Sequence, residues 1–239
     1  MNAVVSMRPP AGLPSYTATV SGPRSPTNED AVLCLNDYGV FGVFDGMGGH
    51  RNGARASALA TASLQRAARS APEHNAAFFE RALLEANAAI VRDAATTARG
   101  ETMGTTAAMC WIHDDKMTCF HAGDSRVYRM RDFRLDRITR DHHREADVRE
   151  HIGLGQHSVR AITRALGMGS ALRVEVTETD WQPGDLAMLC TDGLSDVLPD
   201  FQCANIIVDY LERPAQLPDA LLRAASSSTD DCSVIVVVG

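Results

Sequence analysis

Three apolar runs in this chain end in an aspartate with a glycine beside it: Val43-Phe44-Asp45-Gly46, His121-Ala122-Gly123-Asp124 and Leu189-Cys190-Thr191-Asp192-Gly193. A fourth acidic pair, Asp230-Asp231, stands just before the apolar run 233–238, and Glu29-Asp30 opens an early one. Alone, an Asp-Gly after a strand is a turn. Repeated at several strand ends, it is a way to gather carboxylates on one rim of a sheet. Carboxylates at close range push one another toward the protonated form, and bound divalent cations remove that conflict. An all-oxygen donor set selects a hard ion, Mg²⁺ or Mn²⁺, over Zn²⁺. Gly46 can add its carbonyl as a further ligand, because a residue without a side chain permits close backbone approach.

Such side chains need strands to carry them. Apolar and alternating patterns predict strands over residues 16–21, 30–36, 39–44, 105–113 and 116–122, a hairpin over 126–138, and strands over 172–179, 185–189 and 233–238. The run 39–44 is almost wholly apolar, as expected of a strand covered on both faces. Helices are predicted near 53–69, 75–99, 201–211 and 218–225; in the second, Phe79, Leu83, Ala86 and Ile90 recur every three or four residues and make one apolar face. Residues 139–160 are rich in His, Arg and Glu without periodicity and read as a mobile surface segment. Residues 1–15 read as a loose Pro-rich leader and 16–239 as a single domain. Strict strand–helix alternation is absent, which favours an α+β layering over a doubly wound sheet.

The chain has 239 residues, 45% of them hydrophobic, enough for a sizeable core. A net charge of −7 with scattered basic residues argues against nucleic acid or an anionic membrane as partner. No apolar stretch approaches the roughly 20 residues that span a bilayer, and the first residues lack a secretion signal. The six cysteines show no C-x-x-C pairing and most sit in apolar runs, as small hydrophobes do. A cytoplasmic location with reduced thiols is expected.

Seven stretches, in order, resemble the protein phosphatase 2C family, and its compact bacterial members in particular. They are Asn28-Glu29-Asp30, Val43-Phe44-Asp45-Gly46-Met47-Gly48-Gly49-His50, Gly104-Thr105-Thr106-Ala107, Ala122-Gly123-Asp124-Ser125-Arg126, Thr163-Arg164-Ala165-Leu166-Gly167, Thr191-Asp192-Gly193-Leu194-Ser195-Asp196 and Asp230-Asp231-Cys232-Ser233-Val234. The resemblance implies a four-layer αββα sandwich of two mainly antiparallel sheets flanked by helix pairs, with two metal ions at one end. It implies that Asp45 bridges both ions, that Gly46 ligates through its carbonyl, and that Asp192 and Asp230 complete the first site. Glu29 would hold the second ion, largely through water, and Asp124 would help form a third, weaker site. Asp30 and Asp196 would orient metal-bound waters, and Arg24 would grip the phosphate. The implied reaction is hydrolysis of phosphoserine and phosphothreonine in proteins by water activated between two divalent cations, Mn²⁺ or Mg²⁺, by a monomer that opposes a serine/threonine kinase.

The chemistry suits those roles. Two adjacent cations lower the pKa of a shared water and neutralise phosphoryl oxygens, and the planar fork of an arginine donates two parallel hydrogen bonds to phosphate. Without cations the carboxylates would repel a phosphate dianion, so activity should depend on added metal. Some positions depart from the family pattern. Arg24 lies four residues before Asn28, where many bacterial relatives have a three-residue step. Met47 occupies the place of a histidine proposed as general acid in animal members, and methionine has no proton to donate. Asp231 replaces a common asparagine. The segment 141–162 corresponds to the flap beside the active site and is short and polar. Its histidines, His142, His143, His151 and His157, read as solvated loop residues, since no helical pair brackets a glutamate; His50 reads as structural. No Cys-x₅-Arg, D-x-D or G-x-S-x-G motif supports another hydrolytic chemistry. Two alternatives stay open: a catalytically silent phosphatase-like binding domain, and a phosphoesterase acting on a small molecule.

Overall fold

The computed structural model describes residues 12–23, 27–48, 51–71, 74–97, 103–148 and 157–239. Arg24, Gly49, His50 and His151 lie outside these residues, as does the side chain of His157. In chain order the elements are β1 (Ser15–Val20), β2 (Ala31–Leu35), β3 (Val40–Phe44), β4 (Gly46–Met47), α1 (Arg51–Ser70), α2 (Ala76–Thr97), β5 (Gly104–Thr105), β6 (Ala107–His113) and β7 (Lys116–Ala122). There follow β8 (Arg126–Arg131), β9 (Arg134–Arg137), β10 (His143–Val148), β11 (His157–Ile162), β12 (Glu175–Asp180), β13 (Leu186–Cys190), α3 (Asp192–Ser195), α4 (Asp200–Tyr210), α5 (Leu217–Ala224) and β14 (Cys232–Val238).

Two five-stranded sheets stack face to face, one ordered β12-β7-β6-β3-β2 and the other β1-β14-β13-β8-β9, with every neighbouring pair antiparallel. Side chains alternate across a strand, and three cores result. Val40 and Phe44 of β3 with Met109 and Trp111 of β6 meet α1 and α2. Phe41 and Val43, with Ala108, Cys110 and Ile112, face the second sheet and meet Leu189, Ile235 and Val237. On its far side that sheet offers Met188, Val234 and Val236 to Cys203, Ile207 and Leu221 of α4 and α5. The layering is αββα. It explains why β3, β6, β13 and β14 are almost wholly apolar: both faces of each strand are covered. The inner stripe of α1 is Ala56, Ala60, Leu64 and Ala68, small residues that let the helix lie close to the sheet.

One stretch differs from its sequence-based expectation. Within and just beyond residues 139–160, expected to form a mobile surface segment, residues 143–148 and 157–162 pair as an antiparallel hairpin from His143↔Ile162 to Val148↔His157. These strands pair with each other and with neither main sheet, so they carry no apolar alternation for a sequence pattern to show.

Register then does the gathering. Phe44 pairs with Ala31, Val43 with Ala108, and Ala107 with Ala122. The end of β3, the starts of β2 and β6 and the end of β7 therefore share one rim. Cys190 pairs with Val234 in the other sheet, which puts the end of β13 beside the start of β14.

Candidate active site

The rim aspartates are held by their own backbones or by those of their neighbours. Asp45 donates its N–H to Thr106 Oγ1 (2.9 Å) and accepts at its carbonyl from the Thr106 N–H (2.8 Å). Thr106 Oγ1 also lies 2.7 Å from Ser125 Oγ, next to Asp124. Gly123, before Asp124, has φ +126°, and a Cβ there would stand 2.6 Å from Thr106 Cβ. That turn requires glycine. Glu29 reaches the start of α1, where a Cβ on Gly53 would overlap its Oε2 and lie 2.8 Å from the Gly46 carbonyl oxygen. Glu29 and the Gly46 carbonyl thus sit side by side because Gly53 leaves room. Asp192 opens α3, and its carbonyl accepts from the Asp196 N–H at 2.8 Å. Asp230 Oδ1 accepts from the Asp231 N–H at 3.0 Å.

The side chains crowd together. The Asp45 and Asp192 carboxyls stand close enough that each perturbs the other. Burial, then the charges of Asp192 and Asp30, hold the Asp45 carboxyl well above the usual carboxylate range. Burial first, then Asp192, pushes Asp124 up to about 7. Burial also brings Asp30 to about 7, with Asp231 and Asp192 adding to it and the nearby Ser233 and Thr191 hydroxyls, the latter hydrogen-bonded to Oδ2, opposing it. Asp192 is raised by burial, with Asp230 and Asp196 contributing. Six of the sequence-derived aspartates, Asp30, Asp45, Asp124, Asp192, Asp196 and Asp230, therefore feel one another at this rim, and Glu29 and Gly46 flank them.

A pH dependence follows. Unfolded carboxyls ionise near 3.9, whereas folded, cation-free Asp30 and Asp124 ionise at about 7. The unfolded chain releases these protons first, so this cluster removes stability as pH rises from about 4 to about 7. Chelator-treated protein is expected to melt lower at pH 7.5 than at pH 5.5, and Asp124→Asn, which cannot titrate, to show a smaller drop. Scanning calorimetry at the two pH values checks it; an equal drop in both proteins would remove Asp124 from the explanation.

As a donor set the cluster suits a hard cation. Among the described residues, no three Asp, Glu, His or Cys side chains stand as a ready-made ligand group around one point. What the rim does offer is oxygen: Asp30 Oδ1, Asp124 Oδ1 and Asp192 Oδ1 are buried with no hydrogen-bond partner. Buried polar atoms are ordinarily paired, and anionic oxygens left without partners fit divalent cations with their waters.

Several supporting residues carry no mark in sequence spacing. Asp231, read as a mild replacement, clasps the loop before β2: Oδ1 accepts from the Gly22 N–H (2.8 Å) and Oδ2 from the Glu29 N–H (2.6 Å). Thr191 donates from Oγ1 to Asp30 Oδ2 (2.8 Å) and accepts from the Ser233 N–H (2.9 Å), tying Asp30 to both β13 and β14. Arg126 binds Asp141 through Nε and Nη2. His142 corrects the expectation of solvated loop histidines. It is buried at 8% exposure, because the hairpin base folds it under the Gly123 turn.

The protein phosphatase 2C family model matches residues 24–225. The serine/threonine phosphatase Stp of Listeria monocytogenes is 28% identical over 207 residues, 82% of either chain. Among solved structures, PppA, a key regulatory component of T6SS in Pseudomonas aeruginosa, superposes with a TM-score of 0.80 at 27% identity, over 95% of this chain and 98% of that one. The catalytic domain of the serine/threonine protein phosphatase PstP, in complex with two manganese ions, superposes with a TM-score of 0.75 at 26% identity, over 95% and 99%. With the family match covering most of the chain, this protein belongs to the protein phosphatase 2C family and is a protein phosphatase.

Proposed function

We propose that the chain hydrolyses phosphoserine and phosphothreonine monoesters in proteins, using water activated by two divalent cations at the carboxylate rim. The observation that carries this is the set of buried, unpartnered oxygens on Asp30, Asp124 and Asp192 amid carboxyls that resist ionising without a counter-charge. The two manganese ions in the PstP complex support the same assignment. Asp45, the Gly46 carbonyl, Asp192 and Asp230 would hold one ion, Asp45 and Glu29 the second, and Asp124 a third, weaker one. Bound cations supply a lower water pKa and neutralise phosphoryl oxygens. Asp30, fixed by the Thr191 hydroxyl, and Asp196, next to the turn of α3, would orient the attacking water. Arg24, outside the described residues, would take the phosphate in a bidentate grip. Met47 has no proton to give, so the leaving alkoxide would take its proton from water or from another residue. The substrates would then be products of a serine/threonine kinase.

The test is phosphate release from a phosphothreonine peptide with Mn²⁺, with Mg²⁺ and with excess chelator. Cation-dependent release that chelator abolishes is expected. A folded sample that releases nothing under any metal, or that prefers nucleotides or sugar phosphates, would overturn the assignment.

A further inference from the structure

His142 is tied to its surroundings more heavily than a surface hairpin requires. Its backbone N–H donates to the Gly123 carbonyl at 2.7 Å, and the Gly123 N–H donates back to the ring at Nδ1, at 3.3 Å. With Nδ1 accepting, the ring proton sits on Nε2, which donates to Glu175 Oε2 at 2.8 Å; Arg164 Nη1 stands 3.1 Å from the same nitrogen and 3.8 Å from the same carboxylate oxygen. A carboxylate behind one nitrogen thus fixes the tautomer that the other needs, as in histidines oriented by an outer partner. The His142 carbonyl accepts from both the N–H (2.8 Å) and Oγ1 (3.0 Å) of Thr163, which closes the base of the β10–β11 hairpin. The ring packs on His121 with centroids 4.6 Å apart, and His121 Nε2 lies 2.9 Å from the Ser125 carbonyl oxygen. The Gly123-Asp124-Ser125 turn is therefore gripped on one side by Thr106, which also holds Asp45, and on the other by His142.

We propose that His142, oriented by Glu175, is a positioning residue that sets the Gly123–Asp124 turn for cation binding and couples that turn to the base of the hairpin. This rests on the reading of Asp124 as a cation ligand. His142 touches no reacting atom. Its influence runs through the backbone of the residue before Asp124, so it acts on the weaker cation and leaves the Asp45–Asp192 pair, held by other strands, in place. Losing an outer partner of this kind typically costs about 10- to 100-fold in metal affinity.

The experiment uses the full chain and two readouts: calorimetric titration with Mn²⁺, and the Mn²⁺ dependence of kcat and KM on a phosphothreonine peptide. His142→Ala is expected to weaken the last calorimetric binding step and raise the half-activating Mn²⁺ concentration by about tenfold, with the tight step unchanged. In an Asp124→Ala background the same substitution is expected to change nothing further, since the residue it positions is gone. Glu175→Ala should reproduce the effect in part. Glu175→Gln, whose amide oxygen still accepts from Nε2, should stay near wild type. If His142→Ala folds poorly, the Glu175 pair carries the comparison, and equal effects of Ala and Gln would overturn the proposal. An unchanged Mn²⁺ titration in His142→Ala, or an equal shift in the Asp124→Ala background, would also overturn it while leaving the phosphatase assignment standing. Wild-type protein that takes up no Mn²⁺ would sink both.

Discussion

Asp45→Asn is expected to remove turnover of a phosphothreonine peptide by at least about 10³-fold while the cation-free protein melts no lower than wild type. The two halves of this result have separate causes. The Asp45 backbone is held by Thr106 through both its N–H and its carbonyl, so the fold does not depend on the carboxyl. The carboxyl is buried against Asp192 and Asp30, and its ionised form is disfavoured in the absence of a counter-charge. A neutral amide of the same shape relieves that repulsion, and each kcal/mol relieved raises the melting temperature by about 2–4 °C in a chain of this size. Function moves the other way. As the proposed bridge between two cations, Asp45 supports several kcal/mol of transition-state charge stabilisation, and about 4 kcal/mol is already 10³ in rate. The measurement pairs saturating-Mn²⁺ kinetics with melting in chelator. Retained turnover would take Asp45 out of the site; a large fall in melting temperature would show that its side chain is structural.

Arg126→Met is expected to be the most destabilising single change at the rim, costing about 3–5 kcal/mol and lowering the melting temperature by roughly 6–20 °C. Arg126 and Asp141 are largely withdrawn from solvent, with side-chain exposures of 12% and 8%. Nε and Nη2 of the arginine donate to the carboxylate, and Nη1 lies 3.3 Å from Tyr128 Oη. Burial works against the Asp141 charge, but Arg126 outweighs it and leaves the carboxyl below its usual range. Removing the arginine strands that charge, and Arg137, at 3.6 Å and partly exposed, replaces it poorly. The sign with pH is fixed. The lowered carboxyl contributes stability above its unfolded pKa of about 3.9, and the contribution is lost as acid protonates Asp141 in the fold. The gap between wild type and variant should therefore be full at pH 7 and narrow below pH 4. Denaturant melts at pH 7 and pH 3.5 check this, and a loss under 1 kcal/mol at pH 7 would mean that the pair does not act as a buried unit.

Much of this protein could be read from its residues alone, where the signals are local. Almost wholly apolar runs marked β3, β6 and β14 because a strand covered on both faces needs few polar side chains. The Phe79–Leu83–Ala86–Ile90 stripe marked α2 because helical periodicity is set by the backbone. Asp45, Asp124, Asp192 and Asp230 stood out because each adjoins a strand end, and the order of motifs around them pointed to the family. Tertiary structure decided what lies between those signals. Antiparallel register, not spacing, puts Asp30 beside Asp45 and Asp192 beside Asp230 on a common rim. Asp231 shows its double clasp only once Gly22 and Glu29, some two hundred residues earlier, fold against it. His142 sits in a polar stretch that looked solvated, and its burial comes from a hairpin whose strands pair with each other and have no core face to impose a pattern. Hydrogen-bonded polar contacts between distant segments have no period in the chain. Burial and register create them, and both exist only in the folded state.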